Sequence, residues 1–216
     1  MAKKPTKTRT TALAVSALPP QAIPGTSIVP EVAYRNDHHP LGSGPWKGEP
    51  DKFAWTDQAT GYPCVVVRER GGNYGAHVGL PQSHPLSGYR ARALPGEISE
   101  GLHRPVSRAE PCERRAPEPI SICHVSERNA HLAQEQAPWH ADGDDAWWLG
   151  MAFDGPRDLV PMGGERKLAA ERGETYRDAQ FAFQQATLLA RRLHDWDKLG
   201  HCQPSQLGTL PSGDGQ

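Results

Sequence analysis

Proline placement constrains this chain more than any other feature. Eight prolines fall within the first 50 residues, at positions 5, 19, 20, 24, 30, 40, 45 and 50. Proline fixes φ and carries no amide donor, so neither a helix nor a central strand is expected here. Residues 1–60 therefore read as an extended Pro-rich arm. Short apolar pieces sit between the prolines. Ile28, Tyr34, Trp46, Phe53 and Trp55 are the residues expected to anchor the arm on a neighbouring surface.

The totals narrow the function classes. With 22 glycines and 21 prolines in 216 residues, about a fifth of the chain is Gly or Pro, against an average near 12%. Hydrophobic content is 37%, low for a globular chain, so the core is expected to be small and the loops long. The formal net charge of -1 gives no global attraction to nucleic acid or to an anionic membrane. Only the Lys3–Arg9 tip and scattered arginines point toward nucleic acid. No stretch approaches the 18 apolar residues of a membrane span. The apolar run Ala12–Leu18 is too short, and too rich in Ala and Ser, for a secretory signal. Cys64, Cys112, Cys123 and Cys202 form no CxxC pair. They read as four reduced thiols of a cytosolic product, a zinc site built from scattered Cys and His being the alternative.

Beyond residue 60 the pattern becomes that of a domain, over 61–200, followed by a flexible tail over 201–216. Residues 62–80 read as a β-hairpin: Cys64–Arg68 is β-branched, Gly71-Gly72-Asn73 supplies a tight connection, and Tyr74–Leu80 returns. Period two places Tyr74, Ala76, Val78 and Leu80 on one face and His77 on the other. Residues 89–119 read as a solvated surface of mixed charge. Ile120–Val125 alternates as a strand, and Trp147–Phe153 is the most hydrophobic strand candidate. Thr175–Asp197 carries apolar residues at three- and four-residue steps, with Thr175 and Asp178 arranged as a capping box. The expected fold class is α+β: a small antiparallel sheet from residues 62–80, 120–125 and 147–153, the C-terminal helix across one face, and the arm in front.

Together these pieces resemble a family of small, mostly uncharacterised phage and prophage proteins. In that family a strand leads into a Gly-His-Pro-Leu-Tyr-Gly loop, then a His-Gly-Gly motif, then a Trp-Trp-Phe-Gly-Phe-Asp-Cys-Ala-His-Ala-Gly-Asp run, and last a Tyr-Arg-Asp helix. Here the loop is Ser83-His84-Pro85-Leu86-Ser87-Gly88, and the helix matches at Tyr176-Arg177-Asp178, Phe181, Leu189-Ala190 and Leu193. The resemblance covers about residues 61–197 and excludes the arm. The departures lie at polar positions. The family's His-Gly-Gly histidine falls on Ser99. Its first aspartate falls on Ala152 and its second histidine on Gly155, so of that run's polar set only Asp158 stays in register.

Two functions follow as expectations. The resemblance and the arm imply a virion component, such as a capsid decoration or another head or tail accessory. It would be assembled in the host cytoplasm and would bind other phage structural proteins or itself. The alternative is a small cytoplasmic enzyme or anti-defence protein acting on a small ligand through His84 and Asp158, with Asp154 and His103 in support. His131, His140, Asp142, Asp144 and Asp145 invite a metal reading, but Asp142–Asp145 lacks the order and closing glutamate of a calcium loop. Neither a metal nor a cofactor is expected.

Overall fold

The computed structural model describes residues 16–112, 118–123, 146–163 and 171–199. Its frame is one seven-stranded sheet: β1 (Ser16–Ala17), β2 (Val32–Arg35), β3 (Lys52–Thr56), β4 (Pro63–Arg68), β5 (Tyr74–Leu80), β6 (Arg108–Pro111) and β7 (Trp147–Ala152). The spatial order is β1-β2-β3-β4-β5-β7-β6, and every neighbouring pair is antiparallel. One long helix, α1 (Ala179–Lys198), packs across a face. The fold is α+β, as the residue pattern implied.

The β4–β5 hairpin forms where Gly71-Gly72-Asn73 placed it. Gly72 has φ +79 and its amide donates to the Glu69 carbonyl at 2.8 Å. That conformation is one glycine adopts without steric cost. The face of Phe53, Val66, Ala76 and Met151 meets α1 through Ala179, Ala182, Ala186, Leu189, Ala190 and Leu193, all fully buried. Alanines dominate that stripe, so the helix axis can lie close to the sheet. Asp178 caps α1, its carboxylate accepting from the Phe181 amide at 2.8 Å. The expected cap, Thr175, instead forms a parallel bridge with Asp158, which delays the helix start to residue 179.

The opposite face is covered too. Ala54, Val65, Val67 and Trp148 form a second core, against which Val32, Cys112, Ile122 and Ala146 pack. Burial on both faces explains why Val65-Val66-Val67 does not alternate with polar residues. Part of this cover is residues 118–123, held by a disulfide between Cys112 and Cys123. The reading of four reduced thiols is corrected on this point: Cys64 alone is free among the described cysteines, and it is buried.

The arm reading is corrected for residues 16–60. They supply β1, β2 and β3, and β3 is a central strand paired on both sides. The prolines sit in the connections, and Lys52–Thr56 is a proline-free window long enough for a strand. The expected anchors are part of the domain's own core. Phe53 is 0% exposed and stacks on Trp55, and Trp55 meets Phe183 at 4.9 Å. Trp46 is buried edge-on against Tyr176, while Ile28 and Tyr34 are half-buried. Truncating a residue placed like Phe53 costs about 3–5 kcal/mol. Two further expectations change. Glu118–Ile120 is a 3-10 turn and residues 121–123 form no strand, while the mixed-charge region contributes β6. Residues 1–15, 124–125 and 201–216, with His131, His140, Asp142, Asp144 and Asp145, lie outside the described residues.

Candidate functional site

Antiparallel order brings the ends of β2, β4 and β7 and the starts of β3 and β5 to one end of the sheet. Polar side chains gather there in three groups.

The first group is buried around Arg68. Its Nε donates to Asp51 at 2.7 Å, one terminal nitrogen donates to the Gly72 carbonyl and the Tyr176 hydroxyl, and the other to Glu49 and the Tyr74 hydroxyl. Asp51 also accepts from the Asn36 amide and from His39 Nδ1. Arg35 lies 2.7 Å from His39 Nε2 and, as a cation, can only donate to it. The ring is thus a neutral Nδ1–H tautomer, in keeping with burial holding its pKa below the ordinary value despite Asp51. Glu49 accepts from the Tyr176 hydroxyl and from the first helical amide, Ala179. Burial pushes the Tyr74 and Tyr176 phenols up, so both stay protonated. This group knots residues 35–51 to the hairpin and to the start of α1.

The second group contains two of the four sequence-proposed acid–base residues. His103 Nε2 lies 2.8 and 3.1 Å from the two Asp158 oxygens, Arg177 Nε donates to the same carboxylate at 2.8 Å, and the Gly155 amide donates at 3.0 Å. Burial would raise the Asp158 pKa, but the bonds from Arg177, His103 and Gly155 outweigh it and hold the carboxyl below its ordinary range. The His103 side chain is 24% exposed against 1% for Asp158. His103 lies four residues after Ser99, the last residue of the 3-10 segment Gly96–Ser99.

His84 does not join them. Its Nδ1 accepts from the Leu86 amide, and its Nε2 faces the Leu193 carbonyl near the far end of α1. His103 packs on Phe181, near the helix start. Twelve helical residues separate these contacts, about 18 Å along the axis. The proposed His84–Asp158 pair is therefore not assembled, and burial keeps the His84 pKa low. Asp154 is exposed on the rim of the third group.

That third group is a cleft of about 430 Å³ on the face away from α1. Glu69, Arg70, Arg108, Glu110 and Asp154 give it charges of both signs. Val67, Pro111, Ile120 and Ile122 give it an apolar wall. Arg108 Nη1 stands 2.8 Å from Glu69 Oε1 without directing a hydrogen bond at it. His77 lies beside this pair, 0% exposed, and neither ring nitrogen has a hydrogen-bond partner among the described residues. Burial first, and the Arg108 charge second, lower its pKa to about 3. Glycines make room for the ring: a Cβ on Gly150 would stand 2.3 Å from His77 Nδ1, and one on Gly75 would stand 3.0 Å from Nε2 and 2.8 Å from Glu69 Oε1.

The cleft is not legible in the sequence because its residues come from five separate segments. One local signal was present. Gly75 and Gly79 flank His77 on the same strand face, a spacing that leaves an imidazole room to lie flat.

Among the described residues, no three His, Cys, Asp or Glu side chains group closely enough to hold a metal ion, and no helix is long and apolar enough to cross a membrane. No family model, curated protein or solved structure matches the chain.

Proposed function

We propose that this chain is a structural or interaction component of a phage-type particle, acting by binding other phage structural proteins or further copies of itself. The observation that carries this reading is the Cys112–Cys123 disulfide. Such bonds persist in oxidising settings, virion surfaces among them, and are rare in reducing cytosol. A chain assembled in the host cytoplasm and carried out in a particle would close this bond after release. The clip ties β6, at one margin of the sheet, to the segment covering the second face. That suits a surface that must keep its shape outside a cell. Contact with neighbours then falls to exposed apolar residues such as Val29 and Leu41, since Trp46, Phe53 and Trp55 are taken up by the chain's own core. The test is mass spectrometry of purified particles under non-reducing digestion. The expected result is this chain at fixed copy number, with the 112 and 123 peptides linked. Absence from particles, or free thiols at both positions within them, would overturn the reading.

A second reading, a cytoplasmic enzyme or anti-defence protein acting on a small ligand, is favoured by the His103–Asp158 contact, in which a carboxylate orients an imidazole. It predicts that His103→Ala abolishes an effect on the host while the fold survives. An unchanged effect would sink it.

A further inference from the structure

We propose that the cleft beside the β4–β5 turn is a binding site for a small zwitterion: a primary ammonium and a carboxylate on one short apolar body, the chemistry of a free amino acid. Three observations converge. The first is size, since about 430 Å³ lies within the range of small-molecule pockets and suits the lower end of ligand sizes. The second is the division of its lining. Val67, Ile120 and Ile122 form an apolar wall that would shelter a hydrocarbon body. Charges of both signs rim it, and two of them, Arg70 and Asp154, are exposed and make no ion pair with another described residue. A purely anionic ligand would meet Glu69, Glu110 and Asp154, and a purely cationic one would meet Arg70 and Arg108. A molecule carrying both charges satisfies both sets.

The third observation is a buried polar pair beside the cleft, of which Glu69 lines it and His77 does not. His77 is fully buried with both ring nitrogens unpartnered, and Glu69 Oε1, also buried, receives no directed hydrogen bond. Buried ring nitrogens are rarely left this way, whereas Glu69 Oε1 already has the Arg108 charge 2.8 Å away. Glu69 Oε1 and His77 Nε2 both crowd the point where a Gly75 side chain would begin, at 2.8 and 3.0 Å. An ammonium is a three-proton donor and can serve the Glu69 carboxylate, which lines the cleft. The ligand carboxylate then lies toward Arg70 and Arg108, which offer planar donor pairs.

The test is isothermal titration of the full chain with three probes of one carbon skeleton: L-leucine, 3-methylbutylamine, which lacks the carboxylate, and 4-methylpentanoate, which lacks the ammonium. Leucine is expected to bind saturably, and each single-charge probe about tenfold more weakly or worse, the loss of one charge-assisted bond. Arg70→Ala should weaken leucine and leave the amine unchanged. Glu69→Gln should weaken leucine and leave 4-methylpentanoate unchanged. Because Glu69 adjoins the hairpin turn, Asp154→Asn on the exposed rim serves as a second acidic variant, with circular dichroism confirming that each variant folds. No saturable binding of leucine, equal binding of all three probes, or leucine binding unmoved by all three substitutions would overturn the proposal. These outcomes are independent of whether the chain is found in particles.

Discussion

Replacing Arg68 with methionine is the most direct test of how this fold is held. The guanidinium has five N–H donors, and here all five are used: on Asp51, on the Gly72 carbonyl, on Glu49, and on the hydroxyls of Tyr74 and Tyr176. Methionine keeps much of the length and apolar volume but supplies no donor. Asp51 and Glu49, with side chains 0% and 7% exposed, would then stay buried without their shared cation. Removing one member of a buried ion pair costs about 3–5 kcal/mol. A domain of this size has about 5–15 kcal/mol in total, so Arg68→Met should remove about a fifth of it or more. Adding Glu49→Gln relieves one of the stranded charges. The double variant should therefore be more stable than the summed single effects, by about 1–3 kcal/mol. Urea unfolding followed by tryptophan fluorescence measures this, and Trp46, packed edge-on against Tyr176, sits beside the perturbation. A loss below about 1 kcal/mol for Arg68→Met, or strict additivity in the double variant, would refute the account of Arg68 as hub.

Other consequences can be measured separately. The folded chain keeps His77 neutral down to about pH 3, whereas the unfolded chain takes up that proton near the ordinary histidine value. Its folded pKa is depressed, so stability should fall as pH drops from about 6.5 toward 3, by at most about 1.4 kcal/mol per unit. His77→Asn should flatten that limb of a plot of Tm against pH, and parallel limbs would count against it. Reducing the Cys112–Cys123 bond, which closes a short loop, should cost about 2–3 kcal/mol, read as a lower Tm with dithiothreitol than without. Matching melting curves would contradict this. Gly150→Ala should destabilise by about 2–3 kcal/mol, because its Cβ would meet His77 Nδ1 at 2.3 Å and the Ala76 carbonyl at 2.7 Å. Gly48→Ala, which meets nothing within 4 Å, should stay within about 0.5 kcal/mol of the parent, and equal effects at the two sites would undo the steric argument.

Local signals carried far into this fold where they were self-contained. The hairpin was legible from Val65-Val66-Val67 and Gly71-Gly72-Asn73, the strand β7 from its adjacent tryptophans, and α1 from its apolar stripe. The first 60 residues were misread because proline was weighed by count instead of by spacing. Each strand there fits between prolines, and its partners are set by pairing that no local pattern reports. Strand β6 was invisible because its Arg-Ala-Glu-Pro carries no β-branched residue and owes its place to β7. The site followed the same rule. Asp158 and His103 were each singled out, but their contact depends on a 55-residue closure. His84 was overvalued because a histidine before a proline looks the same in sequence whether it serves a loop or a ligand.

The bond from the Ala179 amide to Glu49 closes 130 residues of chain, and it bears on how the molecule is made. The meander β3–β4–β5 is contiguous in sequence and can form early, while loop closure over such a distance comes late. On a ribosome, residues 52–80 would emerge as a sheet with one face bare until the segment beyond residue 178 leaves the exit tunnel. During that interval Phe53, Val66, Ala76 and Val78 have no helix to cover them. A truncation ending near residue 170 should therefore behave as a sticky folding intermediate, held in solution by chaperones and precipitating without them.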